Sequence, residues 1–260
     1  MEAAVAGADA VKFQWYKYDC LATPDYEWYE TYKRLFIDES VWVEMLKYAK
    51  QNGLEVWVDV FDTWGVEMAK TYHQEITGFK IPPTVLQSKY IMEELIALEK
   101  PLLLGVGGWY DDEIEEALLF LTERKCPSVT LMYGFQGYPT KEEDVNLKRL
   151  IHIKKFGCPV GFADHEDAEE ALAMDLPVYA YIAGSCVIEK HITLNRKLKG
   201  TDYYSALEPV EFYQMVKKIR QAELLMGDIH VSEGQRAYLK DTLTVVAKKE
   251  IEKGLSLIHI

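Results

Sequence analysis

The sequence predicts an α/β fold built on a parallel sheet, and three observations carry that prediction. Short apolar runs recur along the chain with little polar alternation, as strands buried on both faces require. Amphipathic segments of helical length separate them. No Gly-rich turn follows the first apolar run, where Gln14-Trp-Tyr-Lys17 stands instead, so a (β/α)8 barrel is favoured over a doubly wound open sheet.

The elements follow in order. Glu2–Asp9 is helix-like and feeds directly into the first strand-like run, Ala10–Gln14. Further strands are expected at Leu54–Phe61, Gly78–Ile81, Pro101–Val106, Ser128–Tyr133, Pro159–Phe162 and Ser185–His191. That makes seven, so a barrel on this chain is expected to lack its first strand. Ser40–Lys50 reads as a helix opened by the Ser40 cap and closed at Asn52-Gly53. Asp111–Leu121 loads acid into its first turn, as the helix dipole prefers, and Asp167–Met174 and Pro209–Arg220 have the same character. Residues 1–225 thus read as the barrel and 226–240 as a linker. Residues 241–260 read as the start of a small second domain, with a strand at Leu243–Ala247.

Composition narrows the function. A chain of 260 residues, 49% hydrophobic and 27% charged, carries one large core and is not a disordered tail. The count of 29 Lys+Arg against 42 Asp+Glu gives −13, a surface that repels phosphate backbones and disfavours nucleic acid. A phosphate-bearing partner must therefore be a small molecule held by local cations. No run approaches the roughly 18 apolar residues of a membrane span. Cys20, Cys126, Cys158 and Cys186 are scattered without a CxxC pair, and the N-terminus has no export signal; both fit a cytoplasmic enzyme.

In a parallel barrel the strand C-terminal ends open into one mouth. Those ends carry Lys12 and Gln14, Asp59 and Asp62, Lys80, Tyr133 and Gln136, Asp164 and His165, then Glu189, Lys190 and His191. A lysine is costly to bury unpaired, so Lys12, Lys80 and Lys190 either hold an anionic substrate, snorkel to solvent or pair with structural carboxylates. Alternation puts Glu189 and His191 on one face of their strand and Lys190 on the other, whether for chemistry or for an ion network closing the barrel. His165 suits a divalent metal, acid–base work or a structural contact. Gly105–Gly108 offers backbone amides to an anion but lacks the Lys-Ser/Thr of a P-loop. Trp15–Tyr18 either stacks on a sugar or covers the mouth, while Tyr26, Trp28, Tyr29 and Tyr32 read as loop packing.

Several motifs fall in one order: Gly7-Ala-Asp-Ala-Val-Lys-Phe-Gln14, Tyr138-Pro-Thr, Glu143-Asp-Val-Asn-Leu147, Pro159-Val-Gly-Phe-Ala-Asp-His165, Val187-Ile-Glu-Lys-His-Ile-Thr193, Gly200-Thr-Asp202 and Ala206-Leu-Glu-Pro209. From Gly7 to about Gly254 the series resembles the sialic acid synthase (N-acetylneuraminate synthase) family. The resemblance implies a TIM barrel followed by an antifreeze-like (SAF) domain, and a homodimer when full-length. It implies a transferase of surface-glycan biosynthesis that condenses phosphoenolpyruvate with an N-acylated amino sugar, giving a 2-keto sugar acid and phosphate, with Mn²⁺ or Mg²⁺. Strand-end position and resemblance together nominate Lys12, Lys80, Glu189 and Lys190 as catalytic. They nominate Gln14, Asp62, Gln136, Tyr138, Asp164, His191 and Asp202 as substrate-binding. His165 matches one metal ligand, and Tyr133 stands where the family has a second, histidine ligand.

Departures from the family pattern leave two other readings open. Met132-Tyr133-Gly134 replaces Leu-His-Cys, Lys80-Ile-Pro-Pro83 replaces Lys-Ile-Gly-Ser, Gly105-Val-Gly-Gly108 replaces Ser-Thr-Gly-Met, and Gly200-Thr-Asp-Tyr203 replaces Gly-Pro-Asp-His. One alternative is a diverged barrel that binds an anionic sugar or phosphoenolpyruvate without turnover. The other is a different phosphoenolpyruvate-dependent aldol synthase acting on a sugar phosphate, for which arginine is scarce.

Overall fold

The computed structural model describes residues 1–135, 137–242 and 245–254. The chain divides into two compact units, Met1–Glu223 and Leu224–Ile260. The first is a TIM-barrel-like α/β fold of eight parallel strands paired in sequence order. They are β1 (Ala10–Trp15), β2 (Glu55–Val60), β3 (Gly78–Ile81), β4 (Leu102–Gly105), β5 (Val129–Tyr133), β6 (Val160–Asp164), β7 (Val187–Ile192) and β8 (Ala206–Leu207). Seven coincide with the expected runs. The eighth, two residues long, is too short to leave an apolar pattern, and it pairs with β7 through His191↔Ala206 and Ile192↔Leu207.

Parallel strands need both faces covered, and the two faces are covered differently. Outward residues such as Val56, Val58 and Val60 of β2, Phe79 and Ile81 of β3, and Leu102 and Leu104 of β4 join the main core beneath the helices. Each is at most 1% exposed, worth about 1.5–3 kcal/mol per side chain. Inward residues form a smaller cluster of Leu103, Met132 and Ala163, with Trp57 and Val187 against it. Above that layer the inward positions turn charged.

The helix expected at Ser40–Lys50 spans Glu39–Gln51, with Asp38 rather than Ser40 at the cap position and Gly53 in the left-handed region (φ +76°) just beyond it. Asp111–Glu123 is helical as expected. The segment Asp167–Met174 is not one helix: Asp167 folds back to accept the Glu169 amide at 2.9 Å, leaving a 3-10 turn at Ala171–Met174 before the helix Leu176–Ile182. The last helix of the barrel runs on to Met226.

In the second unit, residues 233–242 form a helix where a linker was expected. Ser232 accepts the Gln235 amide and Gln235 accepts the Ser232 amide, a reciprocal cap whose Ser-x-x-Gln spacing is visible in the sequence. Of the expected strand, Leu243 and Thr244 lie outside the described residues, and Val245–Ala247 belong to no strand.

The rim of β4–β6 depends on glycine. A Cβ on Gly107 would lie 2.0 Å from the Gly134 carbonyl oxygen, and one on Gly134 would lie 2.1 Å from that of Ala163. Close backbone approach, rather than an anion nest, explains Gly107. Gly134→Ala is expected to destabilise the fold by about 1–3 kcal/mol, read as a lower denaturation midpoint; an unchanged midpoint would contradict this packing.

Candidate active site

Four strands bring their charged residues together at their C-terminal ends. Lys12 of β1 bonds to Asp59 of β2 and lies 3.3 Å from Glu189 of β7. Lys80 of β3 donates to both Glu189 oxygens, at 2.7 and 2.9 Å. Burial alone would push the Glu189 carboxyl up, but Lys12 and Lys80 hold it well below the usual carboxylate range. Burial would likewise lower Lys12, and Asp59 and Glu189 more than reverse it, so this lysine stays charged. Two cations and two carboxylates thus balance in a nearly dry cluster. One Asp59 oxygen is buried with no partner, an acceptor that a ligand proton would satisfy.

Beside this cluster lies an uncharged group. The ring centroids of Tyr138 and His165 are 4.6 Å apart, those of His165 and His191 5.5 Å, and those of Tyr138 and His191 6.1 Å. His165 Nδ1 contacts the Phe135 carbonyl at 2.9 Å and must donate to it, which leaves the Nε2 lone pair towards the Tyr138 hydroxyl at 3.3 Å. Burial lowers both imidazoles, His191 to about 3, so both are neutral at pH 7. Burial, helped by Asp202, keeps the Tyr138 hydroxyl protonated. Gln14 and Asp202 line the same cavity of about 1560 Å³, which also extends along β1 and β7.

Four nominated residues are placed otherwise. Lys190 points to the opposite face of β7 from Glu189, as alternation requires. Its ammonium is wholly buried on Asp164 at 2.8 Å and on the Glu166 carbonyl at 3.3 Å. Asp164 completes that pair and accepts the Glu166 amide at 2.8 Å. Asp62 caps the helix Thr63–Tyr72: its two oxygens accept the Gly65 amide at 2.8 Å and the Lys17 amide at 2.7 Å. The Asp-Thr-Trp-Gly spacing ahead of a helix was the signal for that cap. Tyr133 faces outward into the core, where its hydroxyl donates to the Val145 carbonyl at 3.1 Å. Gln136 lies outside the described residues. Asp59, passed over among the substrate-binding residues in favour of Asp62, is the β2 carboxylate that joins the lysines.

The expected metal ligands therefore do not converge. His165 is in the mouth, Tyr133 faces away from it, and no group of three His, Cys, Asp or Glu gathers for a metal among the described residues. The donor set named from the resemblance does not fit a divalent ion.

Glu166, just behind the site, is 1% exposed and has one oxygen without a partner. Burial, then Asp164, raises it to about 7. The folded state holds this proton more tightly than the unfolded state, so the stability it adds falls as pH rises from the ordinary carboxylate range to about 7. Glu166→Gln is therefore expected to gain on the wild type between about pH 5 and about pH 8 in denaturant unfolding. An unchanged difference would contradict the assignment.

A family model described as the NeuB family matches residues 1–231, most of the chain. The chain belongs to the NeuB family. Among similar proteins, an uncharacterized protein of Methanocaldococcus jannaschii is 32% identical over 97% of this chain and 74% of its own length. The N,N'-diacetyllegionaminic acid synthase of Campylobacter jejuni is 30% identical over 97% of this chain and 79% of its own. The sialic acid synthetase of Leptospira borgpetersenii, solved with citrate, superposes with a TM-score of 0.84 at 23% identity, covering 92% of this chain and 82% of that one, and supports the fold. No helix among the described residues is long and apolar enough to cross a membrane.

Proposed function

We propose that this NeuB-family chain condenses phosphoenolpyruvate with the open-chain aldehyde of an N-acylated amino sugar. The product is a 2-keto sugar acid of the nonulosonic type, used in surface-glycan biosynthesis. Carbon 3 of phosphoenolpyruvate bonds to the aldehyde carbon, whose oxygen takes up a proton. Water adds at carbon 2, the bond from carbon 2 to the bridging oxygen breaks, and phosphate leaves with that oxygen as carbon 2 becomes the ketone, so one water is consumed per phosphate released. The observation that carries this reading is the convergence of Lys12 and Lys80 on Glu189, beside a neutral wall of His165, His191 and Tyr138.

The roles follow from the charges. An entering phosphate and carboxylate compete with Asp59 and Glu189 for the two ammoniums, which are already desolvated and oriented. The protonated Tyr138 hydroxyl, whose one proton faces the His165 Nε2 lone pair, can turn that proton to an aldehyde oxygen as negative charge develops there. Gln14 and Asp202 face the same space and are assigned to the acceptor. The synthases named among the relatives support this chemistry for the family.

One observation favours a second reading, binding without turnover: Tyr133 replaces the family's metal-binding histidine and turns away from the mouth. Phosphate release from phosphoenolpyruvate, measured with a panel of N-acylated hexosamines with and without Mn²⁺, separates the two. Sugar-dependent release is the expected result. Phosphoenolpyruvate binding without release would establish the second reading, and no binding at all would sink the site.

A further inference from the structure

The segment between β1 and the helix Glu39–Gln51 carries two aromatic groups with different tasks. Tyr18, Tyr29, Phe36 and Trp64 pack edge to face on one another, with centroids 5.3–5.8 Å apart, and hold the segment to the barrel. Tyr16, Tyr26 and Tyr32 form a second chain of rings. Tyr16 meets Tyr32 at 5.8 Å, and Tyr32 stacks on Tyr26 at 6.1 Å. Only this second group lines the cavity that holds Lys12 and Lys80.

The charges at the tyrosine end are of one sign. Lys12 and Lys80 are held by Asp59 and Glu189, and Lys190 is turned to Asp164. Arg220 is bound to Asp9, ahead of β1. Lys17 pairs with Asp19 at 3.1 Å and does not line the cavity. Asp202 does line it, from a left-handed backbone (φ 56°), and its side chain has no ion pair or hydrogen bond among the described residues. Its charge reaches Tyr16, Tyr32 and Tyr138, whose hydroxyls burial and this carboxylate both hold protonated.

Resting on the reading above, we propose that Tyr16, Tyr26 and Tyr32 with Asp202 select the acceptor, taking an uncharged polyhydroxylated amino sugar and rejecting its phosphorylated form. The C–H faces of a sugar chain pack on tyrosine rings, and its hydroxyls donate to the Asp202 carboxylate. A terminal phosphate at that end meets a like charge with no cation to offset it, and like-charge juxtaposition costs several kcal/mol.

The test uses the full chain and two probes, N-acetylmannosamine and its 6-phosphate, read by ligand-observed NMR. Phosphoenolpyruvate binding is measured separately by calorimetry, so that failure of the functional reading shows there alone. The wild type is expected to bind the neutral sugar at least about tenfold more tightly than the phosphate. Asp202→Asn is expected to narrow that preference by about tenfold. Tyr32→Ala is expected to weaken the neutral sugar about tenfold, with Tyr32→Phe, which keeps the ring, losing less. Thermal melts confirm that each variant is folded. Equal or tighter binding of the phosphate, binding of neither probe, or a preference unmoved in folded Asp202→Asn overturns the proposal.

Discussion

With Lys80 changed to Met, phosphate release from phosphoenolpyruvate is expected to fall by about 10²–10³-fold, the loss typical when one positioned donor to developing or bound charge is removed. Among the described residues Lys80 has a single charged partner, Glu189, and it sits 5% exposed, so water cannot replace its ammonium. The matching change Lys12→Met should act in the same direction, but it leaves Asp59 buried without a cation and so also lowers stability. Glu189→Gln separates binding from folding. It leaves the Lys80 ammonium without its carboxylate while Lys12 keeps Asp59, which costs about 3–5 kcal/mol of stability. The same change removes the carboxylate with which the substrate anion competes, so phosphoenolpyruvate should raise the melting temperature of Glu189→Gln by more than it raises that of the wild type. A larger shift for the wild type would show that Glu189 does not compete for the lysines.

Breaking the Lys190–Asp164 pair is the second large effect. Both side chains are wholly buried, so Lys190→Met strands a carboxylate and should cost about 3–5 kcal/mol in denaturant unfolding. Adding Asp164→Asn removes the stranded charge while keeping an acceptor for the Glu166 amide, and should recover most of that loss. If Lys190→Met instead unfolds within about 0.5 kcal/mol of the wild type while losing phosphoenolpyruvate binding, Lys190 belongs to the site rather than to the frame.

The seven longer strands are legible because a parallel strand covered on both faces must be apolar almost throughout, and that shows in one sequence. β8 is not, because two residues carry no period. Lys12, Lys80, Glu189, His165 and His191 could be nominated because strand ends in such a fold share a mouth, and Tyr138 only through the family resemblance; the structure gathers them. Asp59 and Asp62 are three residues apart, and only the start of the helix Thr63–Tyr72 decides that Asp62 is its cap and Asp59 faces the lysines. Tyr133, Asp164 and Lys190 stand at strand ends like the others but point the other way.

The sequence by itself therefore determined the α/β class, the strand order and which residues lie near the mouth. Period-two alternation assigns residues to opposite faces of a strand without saying which face is inward. The helices decide that, because the face they cover becomes the outer core and only the other is left to hold a ligand.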